Sequence, residues 1–206
     1  MPNYEDVKDA LRIAYDNDAD ARDAMADAAW KRSEREDFAA LLRMAAASTL
    51  LEIGAGHGVG GRFFADEGLA VTCVDLSPEL VERCRAKGLD ARVMDFSNPD
   101  FEDVSFDAVF GMNTLLHVPR AELEGILRSV RRVLKPSGLF YWGQYGGRES
   151  EGVYDGDSCE PKRFFSFMTD ERIQRIASSI FDVVDFHVVP QGGDDFHYQA
   201  LTLRRG

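Results

Sequence analysis

The run LLEIGAGHGVG at 50–60 constrains this chain more than any other stretch. It reads as a short apolar strand that empties into glycines and enters a helix near Gly58. Strands buried on both faces carry unbroken apolar runs, and glycines let the next turn adopt left-handed backbone and approach a ligand closely. A helix opening directly after such a turn points its first N–H groups at a negative group. The strand therefore belongs inside a sheet, with the turn left open at the sheet's edge.

The rest of the chain supplies the sheet. Short apolar runs at 49–53, 70–74, 90–94, 106–111 and 138–144 predict strands, and amphipathic runs at 58–66, 78–87 and 120–134 predict helices between them. Pro78 in a first helical turn and Gly88 just past a helix end mark a start and a stop. Parallel neighbours need a crossover, so this alternation predicts an α/β fold with helices on both faces. A helix at 169–179, a strand at 181–189, the turn-forming PQGGDD and a strand at 196–204 predict a terminal hairpin. Ahead of Thr49 the chain reads as helical at 4–15 and 33–47, with Ser33 and Glu36 spaced as a capping box, joined by the acidic stretch DNDADARDAMADAAW.

Composition narrows the partners. A formal net charge of -12 opposes binding of a polyanion, so nucleic acid is not expected, and Arg131-Arg132 and Arg204-Arg205 read as solvated element ends. No run approaches the ~20 apolar residues of a membrane span, and the start MPNYEDVKDALR lacks a secretion signal, which points to a cytoplasmic protein without a membrane partner. Cys73, Cys84 and Cys159 lack metal-ligand spacing and read as reduced thiols, so no metal site is expected. At 206 residues one domain is expected over 1–206, either as a monomer or as a homodimer.

The ligand of the glycine turn has two readings. Gly56-His57-Gly58-Val59-Gly60-Gly61 satisfies GxGxxG, which keeps a nicotinamide or flavin cofactor open. Asp75 ends the second strand about 20 residues beyond the glycines, where an acid accepts hydrogen bonds from ribose hydroxyls in either cofactor class. Asp95-Phe96 ends the third strand, where an acid meets an adenine amino group and the ring packs on the base.

Glu52-x-Gly54-x-Gly56-x-Gly58, Asp75, Asp95-Phe96, FDAVFGMNTLLHVP and VLKPSGLFYW together resemble the successive motifs of class I S-adenosylmethionine-dependent methyltransferases. The resemblance runs from about Leu50 to Trp142 and extends to the terminal hairpin. It implies a doubly wound, Rossmann-like, mostly parallel seven-stranded sheet with an antiparallel hairpin strand and N-terminal capping helices. It divides the domain into a helical cap (1–48), a cofactor-binding core (49–145), a substrate loop (146–168) and a closing helix and hairpin (169–206). It implies methyl transfer to an O, N or C atom of a small-molecule acceptor, with S-adenosylmethionine as cofactor and S-adenosylhomocysteine as product. By resemblance Glu52, Gly54, Ala55, Gly56 and Gly58 form the glycine motif, Asp75 holds the ribose, Leu76, Asp95 and Phe96 flank the base, and Asn113, Thr114 and Leu115 face the sulfonium. Tyr15 and Trp30, with Arg35, are placed to close the site from the cap. His117, Tyr145 and His197 are the candidate bases or hydrogen-bonding groups near the acceptor. The segment GGRESEGVYDGDSCEPKRFFSF reads as a long irregular lid, poorly ordered near its start and anchored by Phe164, Phe165 and Phe167, with Arg163 a candidate partner for a substrate carboxylate. A nicotinamide-dependent oxidoreductase remains the rival, disfavoured by Glu52, the hairpin and the lack of a Tyr-x-x-x-Lys pair; a non-catalytic cofactor-binding module is the third reading. Thiol or arsenic methylation is a variant of the first, and only Cys159 lies near the expected mouth.

Overall fold

The computed structural model describes residues 3–192 and 196–206. Three helices open the chain, α1 (Tyr4–Asn17), α2 (Ala19–Asp23) and α3 (Ala29–Met44). The core follows as β1 (Thr49–Ile53), α4 (Val59–Asp66), β2 (Ala70–Asp75), α5 (Pro78–Ala86), β3 (Asp90–Val93), β4 (Phe106–Met112), a 3-10 turn (Leu115–His117), α6 (Arg120–Val133) and β5 (Leu134–Gly146). A hairpin of β6 (Ser150–Val153) and β7 (Phe164–Phe167) precedes α7 (Asp170–Ser178), β8 (Asp182–Pro190) and β9 (His197–Arg204).

Seven strands form one sheet in the order β3-β2-β1-β4-β5-β9-β8. β1, β2, β3, β4 and β5 pair in parallel, and β9 runs antiparallel to both its neighbours, β5 and β8. This is the expected architecture, with the terminal hairpin inserting its last strand beside β5. The period of two sorts β1 and its neighbours onto two cores. Leu51, Ile53, Val109, Phe140 and Trp142 meet α1, α6 and α7 on one face; Leu50, Phe110, Tyr141 and Tyr198 meet α3 and α4 on the other. In α6, Leu123, Ile126, Leu127, Val130 and Val133 recur at helical spacing, and all are buried.

Three local expectations are corrected. α3 begins at Ala29 with Ala28 as its N-cap and no side-chain cap, so Ser33 and Glu36 lie inside the helix and form no capping box. Trp30, packed on Tyr198 at 4.6 Å, holds the added turn, a tertiary contact that overrides the local signal. A capping box forms instead at Asn3 and Asp6 of α1. The segment after β5 is not irregular, because β6 and β7 pair in register from Ser150↔Phe167 to Val153↔Phe164. Its charges, which argued for solvation, have partners: Glu151 binds Arg120 at 2.9 Å, Glu149 binds Arg120 and Arg172, and Asp157 takes Arg163 through two nitrogens. β5 also starts earlier than its apolar run, with Leu134 already paired to Phe106. Residues 193–195 of the terminal hairpin turn lie outside the described residues. Among the described residues no helix is long and apolar enough to cross a membrane, and no metal-holding cluster of His, Cys, Asp or Glu occurs.

Candidate active site

The carboxyl ends of β1, β2 and β4 open into a cleft that is open to solvent at its mouth and roofed by α1, α2 and the start of α3. Its floor is the glycine turn. Gly54, Gly56 and Gly58 have φ of 63°, 56° and 86°, backbone that residues with a Cβ adopt at a cost, which is why glycines stand there. A Cβ on Gly54 would run into the Thr114 side chain, whereas one on Gly56 would meet no protein atom within 4 Å. The space over Gly56 is therefore room for something other than the protein.

Asp75 fixes this floor to the next strand. Its Oδ2 accepts the Gly56 N–H at 2.8 Å and its Oδ1 the Ser77 N–H at 2.9 Å. Burial pushes its carboxyl up from the ordinary range, and those backbone donors work against the shift. Ser77 caps α5 by accepting the Leu80 N–H at 3.1 Å. Leu76 and Phe96 line the cleft beside Asp75.

Part of the lining is polar and buried. Arg35, 3 % exposed, pairs with Asp27, and its Nε has no partner. Asn113 holds left-handed backbone at φ 57°, and its Oδ1 is likewise buried without a partner. Glu52 lies between this part of the lining and α4, where its Oε2 accepts the Cys73 thiol at 3.6 Å. Burial pushes its carboxyl up to about 7, with the Cys73 thiol and Arg35 opposing. Lys31 also lines the cleft, its ammonium 5.6 Å from the Trp30 ring, and burial lowers its pKa.

A Tyr–His pair also lines the cleft. His117 Nδ1 lies 2.7 Å from the Phe164 carbonyl oxygen, which only accepts, so Nδ1 carries the proton. Nε2 is then a lone pair, and the Tyr15 hydroxyl, 2.6 Å away, donates to it. The Tyr15 oxygen has acceptor capacity left for the cleft and no proton to give. Burial holds the imidazole pKa down to about 3, so His117 stays neutral through the physiological range. The guanidinium carbons of Arg22 and Arg163 lie 4.5 Å and 5.2 Å from the Tyr15 ring centroid and pin the phenol.

The cleft brings together Tyr15, Glu52, Gly54, Ala55, Gly56, Asp75, Leu76, Phe96, Asn113, Thr114 and His117. Gly58 shapes the turn from beneath, packed near Cys84 and Leu89. Five expected contacts, Leu115, Asp95, Trp30, Tyr145 and His197, are not among the residues that line this cleft. Leu115 is 1 % exposed in the hydrophobic core, because the 3-10 turn rotates it inward. Asp95 is occupied by the Ser97 N–H and the Lys8 ammonium. Trp30 packs on Tyr145 and Tyr198, and His197 Nε2 binds Asp170 at 2.9 Å on α7. Tyr145 sits in an aromatic row beside the cleft. Arg163 is paired with Asp157, and Cys159 is buried with its thiol 3.6 Å from Asp18. Asp27, Lys31 and Arg22 were not anticipated; the four-residue spacing of Lys31 and Arg35 is the sequence signal that these two share one face of α3.

Two buried groups give opposite pH slopes. Glu52, with a folded pKa above its unfolded value, contributes stability below about pH 4.5 that is lost as pH rises through about 7. His117, with a folded pKa below its unfolded value, contributes stability above about pH 6.5 that is lost as pH falls toward about 3. Glu52→Gln removes the first slope, so the stability of the variant relative to wild type is expected to rise between about pH 4.5 and 7. Urea unfolding at several pH values reads the difference, and a flat difference would show that Glu52 is ionised throughout.

Residues 51–142, a little under half of the chain, match the family model described as a methyltransferase domain. A ubiquinone biosynthesis O-methyltransferase of Xanthomonas oryzae pv. oryzae is 36% identical over 114 residues, covering 52% of this chain and 47% of that protein. A demethylmenaquinone methyltransferase of Tropheryma whipplei is 34% identical over 129 residues, covering 61% and 52%. The chain thus spans about half the length of the curated relatives it matches. Among solved structures, a Burkholderia thailandensis 1,6-didemethyltoxoflavin-N1-methyltransferase with its substrate and S-adenosylhomocysteine bound has a TM-score of 0.77 at 23% identity, covering 100% of this chain and 91% of that one. The [4+2]-cyclase SpnF has a TM-score of 0.72 at 18% identity, covering 100% and 97%. At these identities the structural likeness establishes the fold.

Proposed function

We propose that this chain, whose residues 51–142 carry a methyltransferase domain on the class I fold, is an S-adenosylmethionine-dependent methyltransferase that modifies a small molecule. The observation that carries this reading is the polarity of the cleft. An acid at a strand terminus is tied to a glycine turn with empty space above it, and the charged residues Asp27, Lys31 and Arg35 of the cap line the same cleft. An adenosine bearing a zwitterionic amino acid matches that lining. Asp75 takes the ribose hydroxyls, and Leu76 and Phe96 flank the base. The Arg35 guanidinium, which lines the cleft, is the partner for a carboxylate.

When bound, S-adenosylmethionine supplies a sulfonium methyl with a neutral leaving group, a displacement that rewards alignment of the acceptor. Tyr15 is the residue that aligns it. Its proton is committed to His117 Nε2, so its oxygen receives an O–H or N–H of the acceptor and turns the acceptor's lone pair toward the methyl, while the proton the acceptor gives up leaves to solvent at the open mouth of the cleft. His117, neutral and bonded to the Phe164 carbonyl, is a positioning residue that ties this alignment to the β6–β7 hairpin. The hairpin serves as the acceptor-side wall and excludes water. The relatives' names, which specify quinone-pathway and toxoflavin-precursor substrates, support a small-molecule acceptor. The acidic net charge supports an enzyme that does not bind nucleic acid. Incubation with methyl-labelled S-adenosylmethionine and a panel of small phenols, amines and carbon acids tests the reading. Acceptor-dependent formation of S-adenosylhomocysteine is expected, and its absence with every acceptor would leave a cofactor-binding module.

A further inference from the structure

The half of α3 that lines the cleft has little apolar hold on the sheet. From Ala29 to Arg35 the buried side chains are Glu34 and Arg35, and the buried apolar residues Phe38, Ala39 and Leu42 come only in the later turns. Trp30 is half-buried, and the helix opens without a side-chain cap. A helix start of this kind frays unless another contact holds it. Lys31 and Arg35 reach the cleft from this half, so its position sets theirs.

Glu34 supplies the contact. Its carboxylate, 6 % exposed, accepts the Tyr141 hydroxyl of β5 through Oε2 at 2.8 Å, and the Tyr198 hydroxyl of β9 lies 3.3 Å from that of Tyr141. His187 of β8 completes the cluster. Its Nε2 lies 3.1 Å and 3.2 Å from the two Glu34 oxygens, and its Nδ1 lies 2.7 Å from Asp185 Oδ2. One buried acid thus joins the cap helix to the last three strands of the sheet.

Both ring nitrogens of His187 face carboxylate oxygens. A neutral imidazole has a single N–H and leaves one of them without a donor, whereas the imidazolium serves both. Burial lowers the His187 pKa, but the hydrogen bonds to Asp185 and Glu34 outweigh it and carry the value above 6.5. Among the described residues the charged groups against the ring are Glu34 from α3 and Asp185 from its own strand, with the Tyr141 and Tyr198 phenols behind Glu34. The ring itself is exposed, so it takes its proton from bulk solvent.

We propose that Glu34 and His187 are positioning residues of the cofactor site: protonated His187 clamps Glu34, and with it the turns carrying Lys31 and Arg35, against the sheet, so the cleft grips its cofactor more tightly below neutral pH than above it. The inference rests on the methyl-transfer reading and adds a pH control to it. A group whose folded-state pKa is raised contributes its full hold below the unfolded value, about 6.5, and loses it as pH rises through the folded value. Glu52 titrates in an overlapping window, and its effect cancels when a His187 variant is compared with wild type at each pH.

The test measures S-adenosylhomocysteine affinity of wild type and His187→Gln by calorimetric titration across the range from about pH 6 to about pH 9, and follows the histidine C–H resonances by NMR over the same range. His187→Gln is expected to bind roughly fivefold more weakly than wild type at the acid end and equally at the alkaline end. Equal affinity at the alkaline end also reports that the variant folds. Glu34→Gln, which keeps an acceptor for Tyr141, is expected to lose the same pH-dependent part. The His187 resonance, identified by its loss in His187→Gln, is expected to titrate above 6.5 and to move down in Asp185→Asn. An affinity ratio that stays constant across pH, or a His187 midpoint below 6.5, would overturn the clamp and leave the methyl-transfer reading standing. Failure of S-adenosylhomocysteine to bind wild-type protein at every pH would overturn both.

Discussion

Gly54→Ala is expected to destabilise the protein by about 2–4 kcal/mol, combining steric overlap with left-handed strain. The new methyl would lie 2.6 Å from Thr114 Cγ2 and closer still to its Oγ1, the atom that donates to the Ile53 carbonyl at 3.0 Å. Thr114 is 6 % exposed and its hydroxyl is already committed, so it has little room to yield. At φ 63° the alanine would also carry the strain of left-handed backbone. For a chain of this length the loss corresponds to roughly 5–15 °C in melting temperature. Gly56→Ala separates folding from binding. With no protein atom within 4 Å of the added carbon, its cost to folding is about 1 kcal/mol of backbone strain, while the carbon projects into the cleft. Cofactor affinity is expected to fall by roughly 10–100-fold in that variant. Thermal melts with and without S-adenosylhomocysteine distinguish the two. A Gly56→Ala protein that binds as tightly as wild type would show that the space above the turn is not ligand space.

Asp75→Ala is expected to weaken cofactor binding by roughly 10–100-fold through loss of a charge-assisted contact to two hydroxyls. It also costs about 1–3 kcal/mol of stability, because the Gly56 and Ser77 N–H groups lose their shared acceptor. Sequence reasoning assigns the acid to the ribose alone and expects the fold to be untouched. The structure shows that the same carboxylate also shapes the glycine turn. Asp75→Asn keeps one carbonyl acceptor and is expected to lie between wild type and alanine in stability. Calorimetric titration of the folded variants gives the affinity, and chemical unfolding gives the stability. Unchanged affinity in folded Asp75→Ala would place the ribose elsewhere.

The parts of the site legible in sequence are those fixed by strand ends. Gly54, Gly56, Asp75 and Phe96 each sit at or just beyond the end of a strand, so locating the strands locates them, although β3, ahead of Phe96, is an exposed edge strand and not the buried one expected. Asp95 occupies the same kind of position, yet Lys8 of α1 takes its carboxylate, a contact across 87 residues that no local pattern encodes. Tyr15 and His117 are 102 residues apart, so their pairing follows only from how α1 crosses the sheet. Leu115 fails for a different reason: it has the right loop and the wrong rotation, since the 3-10 turn directs it into the core. The β6–β7 hairpin was masked by its composition. Glycines and acids argue for solvated loop, and the arginines that neutralise them, Arg120 and Arg172, lie on α6 and α7.

The central claim is that the cleft accommodates an adenosine joined to an amino acid and not a dinucleotide. Isothermal titration of wild-type protein with S-adenosylmethionine and, separately, with NADH tests it most directly. The expected result is saturable one-to-one binding of S-adenosylmethionine in the micromolar range and no heat of binding with NADH. Binding of NADH with none of S-adenosylmethionine would contradict the account and return Gly56, Asp75 and the cleft to an oxidoreductase.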